Sequence, residues 1–271
     1  MNYGTLPQHT SFMFLAAMSI VLLGSPTSMV AQRGGPPQAP QSGQEEAVID
    51  PTGYWVSLIT EDWRWRMLTA EKGSYPAIPL NAEGRRLADQ WDPARDVAEG
   101  NACKAYGAGN IMRIPTRLHV TWEDENTLRI DTDAGMQTRL FHFDGSPPVD
   151  TEPTWQGYST AEWEVAGGQN GIPRGGNLKV VTTGMRAGYL QRNGVPYSEN
   201  AVVTEYFHRG DIPGGDTWLI VSTLVDDPQY LGSQPGGGLP GSDRVGPLIR
   251  SSNFKREPDG SKWNPTPCEV K

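Results

Sequence analysis

Four side chains in this sequence combine into a constellation that could move protons. His119, Asp131 and Arg139 fall on three successive candidate strands, Arg117 to Glu123, Thr127 to Asp133 and Gln137 to Phe143. If residues 124–126 and 134–136 form three-residue turns, these side chains share one row across the sheet, and Val120, Ile130 and Leu140 share the next. In that row Asp131 holds His119 in one tautomer, while Arg139 offers a guanidinium fork to a carboxylate or a developing oxyanion. A base oriented by a carboxylate beside a cation is what proton abstraction next to a carbonyl needs. Glu205 is the fourth member. It sits in the apolar run VVTEYF, where an acid either pairs with an arginine such as Arg139 or has a raised pKa and serves as a general acid. The plainer reading of the same row is a solvated sheet face.

Aromatic residues form the second candidate set. Trp63 and Trp65 alternate with Arg64 and Arg66, so an extended strand here would show an indole face and a guanidinium face. Trp65, Trp155 and Tyr158 lie in or beside loops and could line the mouth of a pocket for a flat or apolar ligand, sugar rings included. Cys103 and Cys268 are the two cysteines, an even count that in an exported chain implies a bridge closing a long stretch of chain. A metal site is not expected, because His119 and His142 point to opposite faces and no short His pair occurs. No cofactor is expected either: the sequence holds no P-loop, no G-x-S-x-G and no G-x-G-x-x-G opening a helix.

The elements that must position these groups are mostly strands. The chain has 271 residues with 32 Gly and 23 Pro, too many helix breakers for a bundle, and its nine Trp, nine Tyr and six Phe exclude a chain too polar to fold. Further strands are expected at Gly53 to Thr60, Thr160 to Val165, Asn177 to Thr183, Ala201 to Arg209, Thr217 to Val225 and Leu248 to Lys255. One helix is expected over Asn81 to Trp91, with Asn81 as its cap and Gly84 as a weak point. About nine strands joined mostly by short turns predict an all-β fold, an antiparallel up-and-down barrel, which leaves no sheet edge exposed. The Gly-rich stretch from Gly232 to Gly246 reads as a surface loop.

Ahead of this domain, the apolar run FMFLAAMSIVLL from Phe12 to Leu23 is too short to span a membrane and fits the core of a secretory signal. The expected organisation is a signal peptide over 1–31, a flexible Pro/Gly/Gln-rich linker over 32–47 and a barrel domain over 48–271. The mature chain is then periplasmic or secreted, with no membrane insertion after cleavage.

Gly53-Tyr54-Trp55 resembles the G-x-W that opens lipocalin-like barrels, where the Trp plugs the closed end. More broadly, Asp144-Gly145, the segment from Pro153 to Ser159 followed by Trp163-Glu164, then Gly194 to Ser198, Glu205-Tyr206-Phe207 and the segment from Asp226 to Tyr230 resemble a group of exported bacterial proteins without an established activity. This resemblance implies export and a lipocalin-like barrel and transfers no catalytic residue. Tyr158 stands where many members carry His, so no His-dependent role is implied there.

Three functions remain open on these residues. One is binding of a small apolar or aromatic molecule in an aromatic-lined pocket. Another is a cofactor-independent lyase, isomerase or hydratase working through His119, Asp131, Arg139 and Glu205, and the third is a carbohydrate-binding module. The net charge of −8 argues against a nucleic-acid partner.

Overall fold

Apolar and polar side chains alternate along eleven segments, and each becomes a strand: β1 (Gly53–Leu58), β2 (Arg117–Asp124), β3 (Thr127–Thr132), β4 (Thr138–His142), β5 (Tyr158–Val165), β6 (Gly176–Thr183), β7 (Gly188–Gln191), β8 (Val195–Tyr197), β9 (Val202–Asp211), β10 (Thr217–Asp226) and β11 (Leu248–Glu257). The computed structural model describes residues 41–145, 152–167, 175–212, 214–232 and 247–270. The expected signal segment and nearly all of the 232–246 loop lie outside the described residues. Nine strands close into a barrel in the order β1-β11-β10-β9-β6-β5-β4-β3-β2, and β7 and β8 pair separately. All nine barrel strands coincide with expected ones; the short β7–β8 hairpin was not anticipated.

The barrel is mixed rather than up-and-down throughout, because β4 and β5 run parallel. Parity requires such a pair. Strands that strictly alternate in direction cannot close a ring of odd number.

The register of β2 on β3 is as expected, with His119 opposite Asp131 and Val120 opposite Ile130. The register of β3 on β4 is not. Asp131 faces Thr138, and Ile130 faces Arg139, one residue away from the expected pairing. Such a slip turns every side chain of β4 to the other face. Arg139 therefore points into the barrel, and Leu140 points out. The turn is longer than three residues because Thr132 pairs with Gln137, its amide donating to the Gln137 carbonyl at 2.9 Å. Gly135 and Met136 both take positive φ (79° and 51°), and the Gly135 amide donates to the Thr266 carbonyl at 2.9 Å. The C-terminal segment thus shapes this turn, a long-range effect that local pattern does not carry.

The barrel interior is solidly packed. Trp55, Phe141, Phe207, Phe254, Leu118, Val120, Leu128 and Ile130 are all buried, each worth roughly 1.5–3 kcal/mol on leaving water. Trp55 of the G-x-W stretch is among them, its indole donating to the Pro51 carbonyl at 2.8 Å. Side chains therefore fill this part of the barrel interior.

Three helices lie between β1 and β2: α1 (Trp63–Met67), α2 (Ala82–Asp89) and α3 (Pro93–Ala98). α1 replaces the strand that W-R-W-R alternation suggests. The Trp65 and Arg66 amides both donate to the Asp62 carbonyl, at 2.9 and 3.0 Å, so the chain coils and sends Arg66 inward while Trp63 faces out. α2 is the expected helix, with the Asn81 side chain accepting from the Gly84 amide at 2.8 Å. α3 opens on Asp92-Pro93, a cap followed by proline at the first turn. Between α3 and β2, the 3-10 turn Ile111–Arg113 places Ile111 and Met112 in the barrel core.

Two features pin the ends of the domain. Residues 41–47, expected as the end of the linker, pack on the barrel instead: the Gly43 amide donates to Asn126 Oδ1 at 2.8 Å and the Trp163 indole donates to the Gly43 carbonyl at 2.6 Å. Cys103 and Cys268 form a disulfide across 165 positions. Among the described residues no helix is long and apolar enough to cross a membrane.

Candidate functional site

The slip in β4 divides the four residues that sequence brought together. Arg139 and Glu205 meet inside the barrel, fully buried, with Arg139 Nη2 donating to Glu205 Oε2 at 2.6 Å and to Thr182 Oγ1 at 3.2 Å. His119 and Asp131 remain on the outer wall. Asp131 does not orient His119; it accepts from Arg129 Nε at 2.8 Å, from Arg129 Nη2 at 3.1 Å and from the Thr138 hydroxyl at 2.6 Å. Burial alone would raise the Asp131 carboxyl, but these hydrogen bonds outweigh it and hold the group below its ordinary range. His119 stacks on Tyr54 at 4.1 Å, with Trp263 edge-on to both rings. A sheet wall separates this pair from Arg139 and Glu205, so the four do not converge on one substrate.

The three aromatic candidates are likewise dispersed. Tyr158 lies flat on His142, ring centroids 4.6 Å apart, on the outside of β5. Trp155 lies under the Arg186 guanidinium, 4.0 Å from its ring centroid, in a shallow surface depression. Trp65 alone lines a cleft with a built interior.

That cleft opens at one mouth of the barrel and has a volume of about 210 Å³. α1 and the residues just before it supply Glu61, Asp62, Trp65 and Arg66; the stretch before α2 supplies Pro76, Ala77 and Ile78. The 3-10 turn adds Arg113, the end of β7 adds Leu190 and Gln191, and the start of β11 adds Leu248 and Arg250. The lining therefore combines indole and aliphatic side chains with guanidinium and carboxylate groups.

Four arginines line the cleft, and each is held differently; Arg192 donates from Nη2 to the Arg66 carbonyl at 2.8 Å. Arg113 is fully engaged: Nη1 donates to the Ser251 carbonyl at 2.7 Å and Nη2 to Asp62 Oδ2 at 2.6 Å. Arg66 is 4% exposed, its Nε donating to the Arg113 carbonyl and its Nη1 to Glu61 Oε1, both at 2.9 Å. Its Nη2 is buried and has no partner among the described residues. Arg250 Nη1 donates to the Leu190 carbonyl at 2.8 Å, and its Nη2 is also buried and unpartnered there. Burial, and then the neighbouring charge of Arg113, push the Arg250 guanidinium down to about 9; burial likewise pushes Arg66 to about 10. Both remain cations at neutral pH.

The backbone at the cleft is strained on both sides. Asp62 and Ala77 hold φ of 50° and 59°, the left-handed region that side chains other than glycine occupy at a cost. Asp62 thereby aims its carboxylate at Arg113, and Ala77 carries the chain around the rim.

Sequence reasoning missed Arg66 as an inward group and missed Arg113 and Arg250 altogether. They lie 47 and 137 positions apart and form no motif, so only the closed barrel joins them. A faint signal existed for Arg250: it occupies an inward position two residues after Leu248 on a strand that otherwise buries that face. Searches against protein-family models, curated proteins and solved structures found no match to this chain.

Proposed function

We propose that this protein is an exported β-barrel that binds a small organic molecule in the cleft at the barrel mouth, with an apolar or aromatic part of the ligand lying against Trp65, Ile78 and Leu248. The observation that carries this reading is the cleft itself, a concave site lined by apolar side chains together with placed polar groups. Its volume of about 210 Å³ suits a compact metabolite rather than a lipid or a polymer. Export is supported by the Cys103–Cys268 bridge, which needs an oxidising compartment. Proton-transfer catalysis is not carried forward, since His119 and Glu205 lie on opposite sides of the sheet.

The test is a thermal-shift and Trp-fluorescence screen with aromatic acids, terpenoids and oligosaccharides. Binding here predicts stabilisation by a compact aromatic or apolar compound and loss of that stabilisation in Trp65→Ala. If no class stabilises the protein, the reading fails. A sugar-binding reading is favoured by a different place, the outer groove where Tyr54, His119 and Trp263 cluster beside Asp131 and Thr138. It predicts stabilisation by an oligosaccharide that Trp263→Ala abolishes and Trp65→Ala leaves intact.

A further inference from the structure

Among the described residues, the cleft holds an imbalance that its own side chains do not resolve. Glu61 and Asp62 engage Arg66 and Arg113, but no carboxylate pairs with Arg250. The lining of the cleft carries four arginines, Arg66, Arg113, Arg192 and Arg250, against two carboxylates, Glu61 and Asp62, and Nη2 of Arg66 and Nη2 of Arg250 are buried without an acceptor among the described residues. A buried cationic donor without an acceptor is among the costlier arrangements a fold can hold, because desolvation is not repaid by any bond. Arg66 in particular is locked in place by its other two nitrogens, so its free NH2 group cannot swing out to water.

We propose that the ligand of this cleft carries a carboxylate, which pairs with the excess guanidinium charge of the lining at Arg66 and Arg250 while its organic body lies against Trp65 and Leu248. The inference rests on the small-molecule reading above and narrows it to one chemical class. Guanidinium and carboxylate are matched in shape and charge, and their hydrogen bonds are among the stronger ones available to a protein. A phosphate dianion fits less well, since Glu61 and Asp62 border the same space and repel a second negative charge. A neutral ligand would leave both Nη2 groups charged and poorly satisfied.

The experiment titrates the full-length mature protein with acetate, hexanoate, benzoate, phenylacetate and indoleacetate, each beside its primary amide, and with inorganic phosphate. Calorimetry and thermal shift read the binding. The expected result is that at least one carboxylate binds roughly 10- to 100-fold tighter than its amide, the range for losing a charge-assisted hydrogen bond. Arg250→Gln should weaken carboxylate binding more than amide binding and so narrow or remove that preference. Arg66→Lys, which keeps the charge but not the planar donor, should weaken carboxylate binding as well and guards against a folding defect in either variant. If a carboxylate and its amide bind equally, the carboxylate inference is overturned and the small-molecule reading stands. If phosphate alone binds, the organic carboxylate is overturned in favour of an inorganic anion site. If nothing in the series binds, the carboxylate inference falls, and the small-molecule reading is decided by the terpenoid and oligosaccharide arms of the screen above.

Discussion

Arg139 and Glu205 show how a single residue can defeat pattern reasoning. A row of Val120, Ile130 and Arg139 mixes charge with hydrocarbon, so the register that keeps faces uniform looks preferable, yet the protein adopts the mixed row and neutralises Arg139 with Glu205. A buried pair of this kind is costly to break and cheap to replace. Arg139→Met should therefore destabilise the protein by about 3–5 kcal/mol in urea unfolding, and Arg139→Met with Glu205→Leu should recover most of that loss. A double variant as unstable as the single one would mean that the pair is needed for the fold itself. Arg250 gives a pH prediction. With its folded value near 9, below the ordinary 12.5, the charged guanidinium opposes folding across the neutral range, and that opposition fades as pH rises from about 9. Carboxylate binding needs the cation, so affinity should be flat from about pH 6 to 8 and decline above about 9; measured affinities that rise through that window would exclude Arg250 as the partner.

At the level of elements, the strands were legible because each carries its own alternation, and α2 because Asn81 announces its start. α1 was not, since W-R-W-R has the period of a strand and only the Asp62 carbonyl, receiving two amides, shows the coil. α3 was legible in principle from Asp92-Pro93. Gly84 reverses its expected meaning: it looks like a weak point in α2, but a Cβ there would lie 2.4 Å from the Tyr230 carbonyl oxygen, so the glycine lets another segment cross the helix. Gly84→Ala should consequently lower the melting temperature despite the better helix propensity of alanine, while Asn81→Ala should cost about 1 kcal/mol through loss of the cap. A stabilised Gly84→Ala variant would show that Tyr230 can yield.

Across the whole molecule, closure does what no segment can. An odd ring demanded the parallel β4–β5 pair, and the Cys103–Cys268 bridge holds the C-terminal segment near the β3–β4 turn that turns Arg139 inward. The barrel class and the bridge could be read from composition and cysteine count, whereas the cleft could not, because it assembles from five stretches separated by most of the chain. Replacing both cysteines by serine should cost about 2–5 kcal/mol, measured by thermal or chemical unfolding against the oxidised protein. An unchanged midpoint would mean that the C-terminal segment is held by its backbone bonds to Asp133 and Gly135 alone.

The central claim is that the cleft at the barrel mouth is the ligand site, and the most direct measurement is a crystal structure of the protein with the tightest-binding compound from the titration series. The ligand should lie in the cleft with its body on Trp65 and its carboxylate within hydrogen-bond distance of Arg66 Nη2 and Arg250 Nη2. A carboxylate paired with the Arg66 or Arg250 guanidinium through any of its nitrogens meets this expectation, whereas a ligand seated in the Tyr54–Trp263 groove or elsewhere, with the cleft left unoccupied, would contradict it.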